Sequence, residues 1–106
     1  MKLLTKEILD RLPKLYATEN DGQQAVVQVK FFTPDGSHTF YATEYDGENR
    51  FFGLVTDGYG APELGYFLLS ELEAARGPGL GLPIERDRYF KPTSLKVILE
   101  ELWEVA

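Results

Sequence analysis

With 106 residues, 43% of them hydrophobic and none of them cysteine, the chain can build one self-sufficient core and excludes disulfides, thiolate metal sites and thiol nucleophiles. The formal net charge is −6, and residues 16–75 hold ten acidic side chains against Lys30 and Arg50, which disfavours binding of phosphate backbones there. The charged N-terminus is unlike a signal peptide and no apolar run is long enough to span a membrane, so we expect one cytoplasmic domain over residues 1–106.

The first predicted element is a short amphipathic helix. One helical stripe comprises Leu4, Ile8, Leu12 and Leu15, and Thr5 is a suitable N-cap. Pro13 disfavours helical backbone at the residue before it, so the helix should end near residue 12.

A run of β-prone segments separated by turns follows. In the first, Val27, Val29 and Phe31 alternate with polar residues and are expected to share one face. The turn at 33–36 contains Asp35, expected to bond its own backbone, and Gly36, expected to take a positive φ. Because consecutive strands joined by tight turns pair with each other, we predict an antiparallel meander. Its predicted strands are 25–33, 37–45, 50–56 and 63–69.

The C-terminal third is predicted to be mostly helix and loop. Residues 70–73 match a capping box and predict a short helix through Arg76, with Gly77 as its C′ residue. The glycine-rich run 77–83 is favoured as a helix stop and loop over a phosphate loop, since no helix opens at its end. Residues 84–90 predict a short edge strand. From Ser94 a last helix should run to about residue 103, and its apolar stripe comprises Leu95, Ile98, Leu102 and Val105.

These elements define an α+β fold: an antiparallel β-meander of four to five strands flanked by an N-terminal helix, a short middle helix and a C-terminal helix. One heptapeptide occurs twice, as Tyr-Ala-Thr-Glu-Asn-Asp-Gly at 16–22 and Tyr-Ala-Thr-Glu-Tyr-Asp-Gly at 41–47. We expect both copies to be strands entering Asp-Gly turns, with Tyr and Thr on one face and Ala and Glu on the other. Two strands apart, they would lie about 9.6 Å from each other. We favour the interpretation that the two copies form the same local hairpin structure over the interpretation that they form a duplicated functional site.

Candidate binding residues fall into two groups. The segment 76–96 is the basic part of the chain, where an anion or a partner protein would bind. The acidic candidates are carboxylates that a functional surface of opposite charge would use. His38 is the only histidine, so neither a histidine metal cluster nor a Ser-His-Asp triad is expected, and no catalytic residue, metal or cofactor is predicted. The basic group, with its aromatic neighbour, is Arg76, Arg86, Arg88, Tyr89 and Lys91; the acidic group is Glu44, Asp46 and Glu85.

Several motifs resemble the bacterial family called domain of unknown function 2958. They include Leu-Pro-Lys-Leu-Tyr-Ala-Thr-Glu at 12–19, Lys-Phe-Phe-Thr-Pro at 30–34, the second heptapeptide, and Gly-Leu-Pro-Ile-Glu-Arg-Asp at 81–87. The resemblance covers nearly the whole chain, apart from an extra loop at 57–62. It implies a small cytoplasmic protein, often from plasmids and other mobile elements, for which the family supplies no established reaction, cofactor or catalytic residue.

The leading functional hypothesis is therefore a non-enzymatic protein-interaction or accessory factor of mobile-element biology. One alternative is an acidic decoy that mimics DNA towards a host DNA-binding enzyme, of the anti-restriction type. Another is a weak nucleic-acid or anion binder that uses the 76–96 segment. A hydrolase or transferase working through carboxylates and tyrosines such as Glu44, Glu85 and Tyr41 ranks last. A meander leaves two free edges, so the chain is expected to be a monomer or an edge-strand dimer.

Overall fold

A five-stranded antiparallel sheet forms the centre of the fold. The computed structural model describes the backbone of residues 2–105 and the side chains of residues 2–103. The strands are β1 (Val26–Val27), β2 (Val29–Phe32), β3 (Thr39–Tyr45), β4 (Arg50–Thr56), β5 (Glu63–Leu68), β6 (Glu85–Arg86) and β7 (Thr93–Ser94). In the five-stranded sheet their order is β5-β4-β3-β2-β6, so the α+β meander is confirmed, with the predicted edge strand next to β2. A separate two-stranded sheet pairs β1 with β7.

Helices cover both faces of the sheet, and each face has its own core. The helices are α1 (Lys6–Arg11), α2 (Leu69–Ala74) and α3 (Leu95–Val105). Ile8 of α1 and Leu72 of α2 pack on the first face. Leu95 and Ile98 of α3 pack on the second face, against Tyr41 and Leu54. No helix of the described backbone is long and apolar enough to cross a bilayer. The sheet side chains of the first core include Val29, Phe31, Ala42, Tyr45, Phe51 and Phe67.

The ends of α1 and α3 follow the sequence signals. The Ile8 N–H donates to Thr5 Oγ1 at 3.2 Å, and α1 ends at Arg11, so the predicted N-terminal helix is confirmed. Ser94 Oγ accepts from the Val97 N–H at 3.3 Å at the start of α3. The expected burial of Val105 lies outside the described side chains.

The predicted bounds of the middle helix are wrong at both ends. The N-cap of α2 is Leu68, whose N–H donates to Glu71 Oε1 at 3.2 Å, and Ser70 lies inside the helix. Asn49 Oδ1, from the preceding turn, accepts the Ser70 N–H at 2.9 Å, so a side chain distant in sequence supplies the missing acceptor. The helix ends at Ala74, and Gly77 is therefore not its C′ residue.

The predicted first strand is interrupted at Gln28, between β1 and β2. Val27 belongs to the α3 core, whereas Val29 and Phe31 belong to the opposite core, so the expectation of one shared face is wrong. Arg11 occupies the break: its Nε donates to Gln28 Oε1 at 3.0 Å and its Nη2 to the Gln28 carbonyl at 2.7 Å. The second of these bonds satisfies the main-chain carbonyl that a continuous ladder would have used.

The glycine-rich run 77–83 wraps around a carboxylate of the chain itself. Asp35 Oδ2 accepts the N–H groups of Leu80 at 2.5 Å and Leu82 at 3.3 Å. A Cβ atom built on Gly77 would lie 1.5 Å from Asp35 Oδ1, so the close approach requires glycine there. Burial raises the pKa of Asp35, but these N–H groups outweigh it and hold the pKa below its ordinary value. The expected positive φ at Gly36 is wrong, although Gly47 and Gly58 of the next two turns do have one.

Candidate functional site

Four of the sequence-predicted site residues meet at the β6 edge of the sheet. A groove of about 440 Å³ is lined by Glu85, Arg86, Arg88 and Tyr89. His38, which directly precedes β3, also lines it. We call this the edge groove. The remaining predicted residues, Arg76, Lys91, Glu44 and Asp46, do not line it.

The cations near the edge groove are largely engaged within the chain. Lys30 Nζ lies 3.8 Å from Asp87 Oδ2, and the Arg86 guanidinium donates to the Lys2 carbonyl. Arg88 is exposed. Arg76 lies elsewhere, where its Nη1 donates to the carbonyls of Glu73 at 3.1 Å and Ala75 at 2.7 Å, beyond the end of α2. The basic segment therefore does not converge on a single anion site.

The two heptapeptide copies differ in structure and touch each other. Residues 16–21 form successive turns instead of a strand, and Tyr16 takes a φ of +71°. Glu44 of the second copy accepts the N–H groups of Tyr16 and Thr18, each at 2.8 Å, and the Thr18 hydroxyl. The prediction of two equivalent strands about 9.6 Å apart is thus wrong. Glu44 is 3% exposed and fixes the first copy against the sheet.

A β-bulge in β3 explains why Glu44 points to the second face of the sheet, towards residues 16–18. The register of β3 against β4 shifts between Ala42, opposite Gly53, and Glu44, opposite Phe52. Thr43 is the extra residue, and its Oγ1 donates to the Phe52 carbonyl at 3.1 Å. One inserted residue moves every later side chain to the other face, so Glu44 does not share a face with Ala42 as regular alternation predicts.

Asp46, the acidic residue that follows, shapes the next turn. Its Oδ1 accepts the N–H groups of Glu48 and Asn49 at 2.8 Å and of Arg50 at 3.0 Å. The N–H groups of Arg50, Asn49 and Glu48 lower the pKa of Asp46. This carboxylate therefore holds the β3–β4 connection.

A half-open apolar trough crosses the second face of the sheet between the 16–25 segment, β5 and α3. It consists of two adjoining cavities of about 360 Å³ and 500 Å³, both lined by Leu99 of α3. The first cavity has Glu44 and Phe52 among its lining residues, and the second is lined by the 58–62 turn. We call this surface the aromatic trough, defined by Tyr16, Tyr59, Leu64, Tyr66, Leu99 and Trp103.

The side chains of the aromatic trough are unusually exposed for their size. Leu64 is 57% exposed and Tyr66 is 50% exposed, while Tyr59 and Trp103 reach 90% and 76%. Tyr66 is nevertheless held in place: its hydroxyl donates to the Tyr16 hydroxyl at 3.3 Å, its ring lies 5.2 Å from that of Phe52, and the Arg50 guanidinium sits 5.6 Å from its centroid. An ordered aromatic surface of this kind loses little side-chain entropy when it is covered.

The polar groups along the trough are engaged within the chain. The hydrogen bond to Tyr16 raises the pKa of Tyr66. The oxygens of Glu44 are occupied by main-chain and hydroxyl donors of residues 16–18. Within residues 2–103, no three histidine, aspartate or glutamate side chains are grouped as a metal site.

The sequence model of the family described as "Protein of unknown function (DUF2958)" matches residues 3–101. The chain belongs to this family. The resemblance drawn from the motifs is thereby confirmed over nearly the whole chain. No curated protein and no solved structure shows significant similarity to it.

Sequence reasoning did not single out the trough residues of this family member. Leu64 and Tyr66 alternate along β5, with Phe67 buried on the opposite face. An edge strand with large apolar side chains on both faces leaves one set uncovered unless another element packs on it. That pattern, in the last strand of the predicted meander, was the available signal.

Proposed function

We propose that the protein is a non-enzymatic protein-interaction module. Its aromatic trough binds an apolar segment of another protein, and that partner carries basic side chains next to the segment. The observation that carries the proposal is the joint exposure of Leu64, Tyr66 and Tyr16 beside Tyr59 and Trp103. Contiguous exposed apolar surface marks interaction sites, and Tyr and Trp dominate binding energy at interfaces. Such an accessory role also suits the mobile-element setting that the resemblance implies.

The charge around the trough specifies the chemistry of the partner. β5 begins with the exposed carboxylate of Glu63, and the cation next to the trough, Arg50, lies against the Tyr66 ring. Glu19 adds a carboxylate to the lining of the first cavity. These two exposed carboxylates, Glu63 at the start of β5 and Glu19 beside the first cavity, favour a partner segment that combines apolar side chains for the trough with basic ones.

The test is selection of a phage-displayed library of 12-residue peptides on the immobilised full chain. Enriched peptides should combine apolar and basic residues and bind the wild type more tightly than Tyr66→Ala or Trp103→Ala by at least tenfold. The controls are Tyr89→Ala and Leu80→Ala, which truncate even more exposed large side chains outside the trough and should change affinity less than twofold.

Either of two results would refute the proposal. One is a set of enriched peptides whose affinity is insensitive to Tyr66→Ala and Trp103→Ala. The other is loss of binding in Tyr89→Ala, which would move the interaction surface to the edge groove.

A further inference from the structure

We infer that the partner segment binds as an additional β-strand along the outer edge of β5. The inference rests on the proposed function and specifies how the segment is held. It follows from which main-chain groups of β5 point away from the sheet, and from which side chains lie beside them.

The register fixes the direction of the β5 main chain. The Arg50 carbonyl accepts the Asp46 N–H at 2.9 Å, and the Arg50 N–H donates to Asp46 Oδ1, so the main-chain groups of Arg50 face β3. Alternate residues of a strand face alternate neighbours, and therefore Gly53 faces β5. Its partner Gly65 faces β4 in return. The N–H and C=O groups of Leu64 and Tyr66 must then point outwards.

These outward groups form a short open edge. No main-chain hydrogen bond joins Leu64 or Tyr66 to a described residue beyond the β4–β5 ladder. The edge is closed at both ends: the Leu68 N–H is bonded to Glu71 Oε1, and Pro62 has no N–H. β5 has no bulge and no internal proline, the usual devices that prevent strand addition. The outward main-chain groups of Leu64 and Tyr66 are thus both available for hydrogen bonds, and together they would fix the register of an added strand.

The side chains beside this edge predict an alternating partner sequence. Residues opposite one another in paired strands project to the same face, so partner side chains opposite Leu64 and Tyr66 would lie on the aromatic trough. The intervening partner side chains would project to the other face, where Glu63 and Gly65 lie. A Cβ on Gly65 would meet nothing within 4 Å, so long side chains have room there. The fitting segment therefore alternates apolar residues with lysine or arginine.

A second copy of the chain fits this edge less well than another protein does. Pairing β5 with itself would bring two Glu63 carboxylates to one face, and residues 51–75 supply no basic side chain to neutralise them. The charge therefore favours a basic strand from a different chain.

The experiment compares Leu64→Pro with Leu64→Ala, using a synthetic peptide of alternating valine and lysine and the peptides selected on the trough. Both substitutions remove the Leu64 side chain, but only proline removes its outward N–H, and the ladder to β4 is spared because that N–H does not take part in it. Strand addition predicts at least tenfold weaker binding to Leu64→Pro than to Leu64→Ala. Equal affinities of Leu64→Pro and Leu64→Ala would overturn the inference. They would not affect the proposed function, which the binding of Tyr66→Ala tests separately.

A second measurement uses the unmodified protein, in case Leu64→Pro folds poorly. N-methylation of those peptide amides that would face β5 should abolish binding, whereas N-methylation of the alternate amides should leave it within about threefold. Equal effects of the two methylated series would contradict an added strand. A sedimentation experiment that finds a dimer broken by Leu64→Pro would also overturn the inference, because β5 would then be covered by a second copy.

Discussion

Glu19 and Glu44 hold the same position in two nearly identical heptapeptides, yet their surroundings are opposite. Glu44 is buried and accepts two main-chain N–H groups, whereas Glu19 is exposed. Removing Glu44 leaves the partly buried N–H groups of Tyr16 and Thr18 without their acceptor, so the desolvation cost of these donors adds to the loss of the two bonds. The same residue type thus has a structural role in one copy and a surface position in the other.

We therefore expect Glu44→Ala to lower the free energy of unfolding by about 3 kcal/mol, from two donors at roughly 1–3 kcal/mol each. Glu44→Gln, which keeps one acceptor oxygen, should lose about half of that. Urea denaturation monitored by circular dichroism measures both changes. Glu19→Ala is the matched control and should stay within about 0.5 kcal/mol of the wild type; equal losses for the two glutamates would contradict the anchoring role.

At the scale of elements, the bulge in β3 depends on a glycine in the neighbouring strand. A Cβ on Gly53 would lie 1.8 Å from the Tyr41 carbonyl oxygen, which is main chain and cannot move aside. Gly65, its cross-strand partner, has open space at the same point. Comparing Gly53 with Gly65 therefore distinguishes the steric requirement for glycine beside the Tyr41 carbonyl from the general effect of glycine on strand stability.

Gly53→Ala is expected to destabilise the fold by about 3 kcal/mol, because relief of the clash requires opening the β3–β4 ladder at the bulge. Gly65→Ala should be neutral or stabilising by up to about 1 kcal/mol, since alanine loses less backbone entropy in a strand. Thermal unfolding of both variants provides the measurement. Similar destabilisation by the two substitutions would show that the contact at Tyr41 does not limit the bulge.

The strands were predictable where turn chemistry brackets them, and the site was not. Residues 50–56 were predicted to the residue because Asp-Gly turns stand on both sides. Residues 16–21 have the same local propensity as 41–46 but fold as turns, because Glu44 offers acceptors that no local rule contains. The shift at Thr43 equally depends on a partner strand. Nearly all of the meander but little of the trough could therefore be predicted, since the trough is assembled from segments distant in sequence.

For the whole molecule, half of the acidic residues in the central segment hold main-chain N–H groups. Of the ten acidic residues between 16 and 75, five accept main-chain N–H groups. This structural role of the carboxylates accounts for much of the net charge of −6. The acidic excess therefore does not require the DNA-binding partner that the decoy hypothesis invokes. Carboxylates in loops and caps, rather than ion pairs, fix the connections between strands. The five are Asp35, Glu44, Asp46, Asp57 and Glu71.

This arrangement predicts a specific acid sensitivity. The pKa of Asp57 is lowered by the N–H groups of Gly60 and Tyr59, as the pKa values of Asp35 and Asp46 are lowered by their own main-chain donors. Because each folded pKa lies below the unfolded one, the stabilisation is complete above the unfolded pKa and is lost as the pH falls through the folded pKa. The free energy of unfolding should therefore fall between about pH 5 and pH 2. The combined variant D35N/D46N/D57N should be less stable than the wild type at pH 7 and lose less on acidification, measured by urea denaturation at each pH. Parallel curves for the two proteins would mean that other carboxylates determine the acid limb.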